Sequence, residues 1–198
     1  MRGRNRNVGG DDLDQAVNVA GADGERSRLR ATARRPHWGL FAGLAVTIFA
    51  LDQAAKAWIL ANIDPARPQH IVGDYVRLVV SHNNGALFGL FRGQAMIFAI
   101  VSFAVIALIV WYHGRAGRSL VASIALGLLL GGAIGNVADR LRYGYVVDFV
   151  DAGIGDLRWY TFNVADAAIS TALVLLVLVA LRPSLVGPSP DADRTIDA

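Results

Sequence analysis

Two aspartates carry the chemistry this chain can offer: Asp148, within Val146-Val-Asp-Phe149, and Asp166, closing Phe162-Asn-Val-Ala-Asp166. Two carboxyl groups sharing a partly desolvated site cannot comfortably both ionise, so one holds a proton while the other stays charged. With a water between them, such a pair can deprotonate the nucleophile and protonate the carbonyl or leaving amine, which hydrolyses an amide without a metal. Spacing alone leaves a plainer reading open, in which Asp166 complements the positive end of a helix and Asp148 is a solvated loop residue. Other polar residues stand beside them in apolar surroundings. Asp52 and Lys56 lie a turn apart in the acid-then-base order that favours pairing on one helix face, either as a functional intramembrane pair or as a structural ion pair. Asn136 and Asn163 each offer a donor and an acceptor, suited to fixing an extended peptide or to capping and tying helices. Arg140 and Arg142 could pair with Asp139 or with lipid phosphate.

The elements that must position these residues are apolar helices. Of the 198 residues, 54% are hydrophobic and 18% charged, far more apolar than a soluble domain of this size needs. Several runs approach or exceed the roughly 18 residues that mark a membrane span. The expected spans are Trp38 to Leu60, Gln94 to Tyr112, Ser119 to Ala138 and Phe162 to Leu181, the last stopped by Arg182-Pro183. The fold class read here is therefore all-α, with four transmembrane helices. Between the first two, Asn62 to Gly93 breaks the helical pattern with Pro65, Pro68, Gly73 and Gly85. Its Tyr75 to Val80 run is β-branched enough for a strand, which gives a small extracytoplasmic β insert. In a helix beginning near Asn163, Asp166 sits in the first turn, and Asp148 lies just outside the third span, so both carboxyls can meet at one depth.

Residues 1–37 and 183–198 are polar and without apolar periodicity, and read as disordered cytoplasmic tails flanking a membrane domain at 38–182. The long polar stretch before Trp38 argues for a retained helix rather than a cleaved signal. Arginines flank the start of span one (Arg26, Arg28, Arg30, Arg34 and Arg35), the turn after span two (Arg115 and Arg118) and the end of span four (Arg182). By the positive-inside rule those segments and both termini are cytoplasmic, and the two polar inserts face outward. The net charge of +3 and the pI near 9.7 follow from that topology and not from a nucleic-acid surface. Without cysteine the chain has no disulfide, thiolate metal site or cysteine nucleophile.

Four segments, in this order among the spans, raise the dyad above its alternatives. Asn83-Asn-Gly-Ala-Leu-Phe88, Gly135-Asn-Val-Ala-Asp-Arg140, Val146-Val-Asp-Phe149 and Phe162-Asn-Val-Ala-Asp166 resemble the bacterial lipoprotein signal peptidase family, signal peptidase II. The likeness runs from about Trp38 to Arg182. It implies an aspartic endopeptidase of the bacterial inner membrane that cleaves prolipoproteins before the diacylglyceryl-modified cysteine, with no cofactor and no metal. In that family the catalytic aspartates match Asp148 and Asp166. Residues that bind substrate or support the dyad match Asp52, Lys56, Asn83, Gly85, Asn136, Asp139, Arg140 and Asn163. The implied partners are diacylglyceryl prolipoproteins and membrane lipids, and four short helices suffice for a monomer. The resemblance further implies that the stretch from Asn83 to Phe91 walls a substrate groove. It also makes the loop Asp151 to Trp159, with Gly153 and Gly155, a mobile lid over the dyad. Trp159 and Tyr160 have an alternative as interfacial anchors. Leu87 and Ala167 replace the smaller alanine and the serine common in the family, and neither removes a reacting group.

Competing chemistries find less support. The chain has no Gly-x-Ser-x-Gly elbow and no His-Glu-x-x-His zinc motif. A proton or cation path through Asp52, Asp148 and Asp166 would call for repeated halves and acids spread across the bilayer, whereas these acids gather toward one face.

Overall fold

In a computed structural model the chain divides into two units, Met1–Arg35 and Pro36–Ala198. The structure describes residues 36–84, 95–116 and 119–182, all within the second unit. The expected tails, 1–37 apart from residues 36 and 37 and 183–198 throughout, the segment 85–94, which includes Gly85 and Leu87, and residues 117 and 118 lie outside the described residues.

The described chain runs α1 (Trp38–Asn62), β1 (Gln69–Val72), β2 (Val76–Asn83), α2 (Ala95–Ala116), α3 (Leu120–Tyr143), β3 (Val146–Ile154), β4 (Leu157–Arg158) and α4 (Val164–Leu181). Three helices, α1, α3 and α4, are long and apolar enough to cross a membrane, and α2 adds a shorter apolar stretch, Ile100–Arg115. Helix α3 is the centre: it packs against each of the other three. Of its apolar span 61% is buried, against 22% for α1 and 17% for α4, whose remaining faces are free to meet lipid.

Small residues make that central position possible. A Cβ on Gly131 would lie 2.7 Å from the Ala45 carbonyl oxygen of α1, and one on Gly132 would lie 2.6 Å from the Ala165 carbonyl oxygen of α4. Glycine at both places lets the helix backbones approach, the usual route to tight packing where lipid offers no hydrophobic driving force. At one end of the bundle Phe41, Ala45, Ile109, Leu126 and Leu130 form a buried cluster. There the buried His113 stacks on Phe41 with ring centroids 4.0 Å apart, and its Nε2 lies 3.1 Å from Ser123 Oγ. At the other end Ile59 of α1 and Ile63 just after it bury Phe149 of β3, so the helical bundle and the strands share a core.

Two of the helix boundaries that differ from expectation bear on the site. Helix α3 continues past Ala138 to Tyr143, and the first charge beyond Ala138, Asp139, is buried and paired with Lys56. It stops at Gly144, whose φ of 79° is the left-handed turn a helix C-terminus favours. Helix α4 starts at Val164, one residue after Asn163, which is its cap and not its first turn.

The sheet is larger than the insert between the first two helices alone provides. Its four antiparallel strands are ordered β1-β2-β3-β4, and the second pair comes from the segment after α3. In that register Ser81 of β2 faces Asp148 of β3 and Asn83 faces Val146. The segment expected to be a mobile lid is the β3–β4 hairpin. Asp151 pins it, accepting from Arg77 Nε at 2.9 Å on β2 and from Arg158 Nε at 2.9 Å on β4, while Arg158 also donates to the Asp74 carbonyl. A hairpin braced within itself and tied to β2 and a turn is poorly built to swing on its glycines.

Candidate active site

Asp148 reaches the site from the middle of β3, and Asp166 from the first turn of α4. The link between them is local. The Phe162 carbonyl accepts from the backbone N–H of Phe149 at 3.0 Å and of Val150 at 2.8 Å, and Phe162 N–H donates back to Val150 at 3.1 Å. This bridge fixes the entry to α4 against the strand. The next residue, Asn163, then stands between the two carboxyl groups.

Asn163 is buried and its side chain is spent at both ends. Its Oδ1 accepts from the backbone N–H of Asp166 at 2.9 Å, and the Asp166 carboxylate faces the Asn163 backbone N–H at 3.4 Å, which completes a capping box. Its Nδ2 donates to Asp148 Oδ1 at 2.7 Å and to Asn136 Oδ1 at 3.2 Å. Asn136 in turn donates from Nδ2 to Asp166 Oδ1 at 2.8 Å. On the strand side Asn83 Nδ2 donates to Asp148 Oδ2 at 3.0 Å. Each carboxyl group is therefore addressed by amide donors, and one asparagine serves both.

Behind this layer lies a buried ion cluster. Lys56 Nζ stands 2.8 Å from Asp52 Oδ2 and 2.8 Å from Asp139 Oδ2, and it donates to Asn136 Oδ1 at 3.2 Å. The pairing of Asp52 with Lys56 expected from their spacing is present, and Asp139 joins it. Both acids take backbone donors as well: Asp52 Oδ1 accepts from the Ala165 N–H at 3.0 Å, and Asp139 Oδ2, beside Lys56, from the Val147 N–H at 3.0 Å. Asp52 thus holds the start of α4 and Asp139 holds the start of β3. Those are the two elements that carry the dyad. Gly135 makes room for this, since a Cβ there would lie 2.6 Å from Asp52 Oδ2.

The environment acts on Asp148 in a definite direction. Complete burial, then the neighbouring charge of Asp166, push its carboxyl up to about 7, against the opposing pull of Asn83, Asn163 and Lys56. A carboxyl group with that affinity can hold a proton near neutrality and release it within the site. Arg140 lies within electrostatic reach of Asp166, Asp148 and Asp139, and its Nη1 donates to the Asn136 carbonyl at 3.3 Å. Arg142 stacks on Tyr143 at 5.0 Å. Among the described residues no group of three or more His, Cys, Asp or Glu side chains is placed to hold a metal ion.

Of the residues singled out from sequence, Asp52, Lys56, Asn83, Asn136, Asp139, Asn163, Asp148 and Asp166 form one connected hydrogen-bonded cluster, and Arg140 borders it. Gly85 is outside the described residues. Sequence reasoning missed Gln53, whose Nε2 bridges Asp52 Oδ2 at 3.2 Å and Asp139 Oδ1 at 3.0 Å. An amide one place after a buried acid, on an otherwise apolar helix, was the available signal. It also missed Thr161, whose hydroxyl lies 3.4 Å from that of Ser81 beside the dyad strand.

Comparison with known proteins places the chain among relatives. The sequence profile of the family Signal peptidase (SPase) II matches residues 44–182. The lipoprotein signal peptidase of Methylorubrum extorquens (strain PA1) is 45% identical over 159 residues, which cover 77% of this chain and 91% of that protein. The lipoprotein signal peptidase of Syntrophomonas wolfei subsp. wolfei (strain DSM 2245B / Goettingen) is 37% identical over 144 residues, covering 73% and 91%. Among solved structures, a bacterial membrane enzyme determined by the in meso method at 2.3 Å resolution superposes with a TM-score of 0.72 at 25% identity, covering 80% of this chain and 97% of that one. A second, at 1.9 Å resolution, gives 0.69 at 27% identity, covering 75% and 97%.

Proposed function

The chain belongs to the signal peptidase II family, and from that premise we infer that Asp148 and Asp166 are the catalytic pair of a membrane aspartic endopeptidase. Its activity is removal of the signal peptide from prolipoproteins. The observation that carries the assignment of the pair is Asn163, which bonds Asp148 through Nδ2 and the Asp166 backbone through Oδ1, so one side chain sets both carboxyls. A water between them gives up a proton to the ionised member and attacks the scissile carbonyl, while the protonated member donates to the carbonyl oxygen.

The substrate presents an unwound peptide, whose amides need partners inside a low-dielectric site. Asn83 and Arg140 border the dyad and are suited to holding it, with Gly85 in the same motif as Asn83. Asp52, Lys56, Asn136, Asp139 and Asn163 support the pair. Cleavage falls before the diacylglyceryl-modified cysteine, with the lipid chains left in the outer leaflet beside the exposed faces of the helices.

In this reading α2 is the fourth span, with α1, α3 and α4 the others. Both termini are cytoplasmic, the sheet and the dyad face outward from the bacterial inner membrane, and the chain works as a monomer in contact with membrane lipid. The test is direct. Purified protein in detergent, given a diacylglyceryl-modified prolipoprotein, is expected to release the signal peptide and leave a mature chain that begins at the lipid-bearing cysteine. An uncut precursor, or a cut elsewhere, contradicts the reading.

A further inference from the structure

A shared proton between two carboxyls need not be shared evenly, and the surroundings here are unequal. Asp166 is partly exposed and lies in the first turn of α4, where the positive end of the helix dipole favours negative charge. Asp148 is completely buried on a strand, which has almost no dipole of its own to offset the loss of water. The donors to Asp166 are also fixed in orientation. Lys56 has hydrogens and no acceptor, so Asn136 must turn Oδ1 toward it and toward Asn163 Nδ2, which leaves Nδ2 to donate to Asp166. We propose that at rest the proton sits on Asp148 and the charge on Asp166, and that Asn136, oriented by Lys56, is the positioning residue that keeps Asp166 ionised.

This deepens the dyad reading and rests on it. Asp166 takes a proton from water as the hydroxide oxygen bonds to the scissile carbon, and Asp148 gives its proton to the carbonyl oxygen. The resulting neutral diol collapses when Asp166 passes its proton to the leaving nitrogen. The C–N bond then breaks, and one diol hydroxyl returns its proton to Asp148, so the pair ends as it began.

Burial and the neighbouring charge of Asp166 push the Asp148 carboxyl up to about 7, so it can hold a proton near neutrality. The groups facing Asp148 are Asn83 from β2, Asn163 and Asp166 from the start of α4, and Lys56 from α1. Those acting on Asp166 are Asn136 from α3, the Asn163 backbone, and Lys56 and Asp52 from α1, with Arg140 of α3 within reach.

Infrared difference spectroscopy of the full chain in detergent, near pH 5.5, reads the proton without turnover. The C=O band of a protonated carboxyl is expected in the unmodified protein and in Asp166→Asn, and is expected to be missing in Asp148→Asn; any other pattern overturns the assignment. Because the band does not depend on hydrolysis, this pattern together with failure to cut a prolipoprotein would refute the peptidase reading and leave the proton where we place it. The pH profile of kcat/KM tests the positioning role. Asn136→Ala should move the acid limb up by about one pH unit and leave the alkaline limb in place, and Asn83→Ala should raise only the alkaline limb. Limbs that move in the opposite assignment, or not at all, overturn the proposal, and Asn83→Ala alone decides should Asn136→Ala not fold.

Discussion

At the scale of residues, the site is a buried polar cluster in which nearly every oxygen has a donor, and that makes single removals severe. Lys56 compensates two buried carboxylates, so Lys56→Met should destabilise the folded protein by about 3–5 kcal/mol, measured by thermal unfolding in detergent. A variant as stable as the parent would mean that the two acids find other partners. Asp148 gives a pH signature with a definite sign. Between its ordinary value of 3.8 and about 7 the unfolded carboxyl is ionised while the folded one keeps its proton. The folded state then binds more protons, and this group's contribution to stability falls as pH rises, levelling off above about 7. The full effect is at most on the order of 4 kcal/mol. From pH 5 to 8 the parent should therefore lose unfolding temperature relative to Asp148→Asn, and a constant difference would contradict the raised affinity. Much of this scale was legible in the sequence, because a lysine and several acids in apolar helices must find one another. Gln53 was not, since a neutral amide at a helix surface carries no comparable penalty until the fold buries its neighbours.

At the scale of elements, the helices were legible from hydropathy and β2 from the β-branched run at Tyr75 to Val80, whereas β3 and β4 were not. Val146–Ile154 reads as a mixed polar stretch because Asp148 and Asp151 interrupt it, and its pairing partner, Val76–Asn83, lies on the far side of two helices. The sheet exists because those acids are satisfied, Asp148 by asparagines and Asp151 by Arg77 and Arg158. Burial works to raise the Asp151 carboxyl, but the hydrogen bonds and charges of Arg158 and Arg77 outweigh it and hold the group below its ordinary range. Asp151→Asn should loosen the β3–β4 hairpin, seen as faster amide exchange across Leu157–Arg158. Unchanged exchange there would mean the backbone ladder alone holds it. On α3, Gly132→Val places a side chain against the Ala165 carbonyl. The expected cost is about 1–3 kcal/mol, with a loss of activity as the start of α4, and Asp166 with it, is pushed away. Full activity in that variant would show that α4 can shift without disturbing the pair.

At the scale of the whole molecule, α1, α3 and α4 converge on one end of the bundle, and the sheet closes over that same end. The polar cluster therefore sits where helix termini, strand and interface meet. Because the chain has no cysteine, its topology can be read with single introduced cysteines. A membrane-impermeant maleimide should label Asp156→Cys on intact spheroplasts and Arg115→Cys only after permeabilisation; the reverse pattern would place the dyad on the cytoplasmic side. The central claim is that hydrolysis depends on both aspartates of one shared site, and the most direct measurement is processing of a diacylglyceryl prolipoprotein by purified Asp148→Asn and Asp166→Asn. Each variant, shown to be inserted and folded, should lose activity by at least about 10³-fold, with no dependence on chelator in the parent enzyme. Near-normal cleavage by either one would contradict the account.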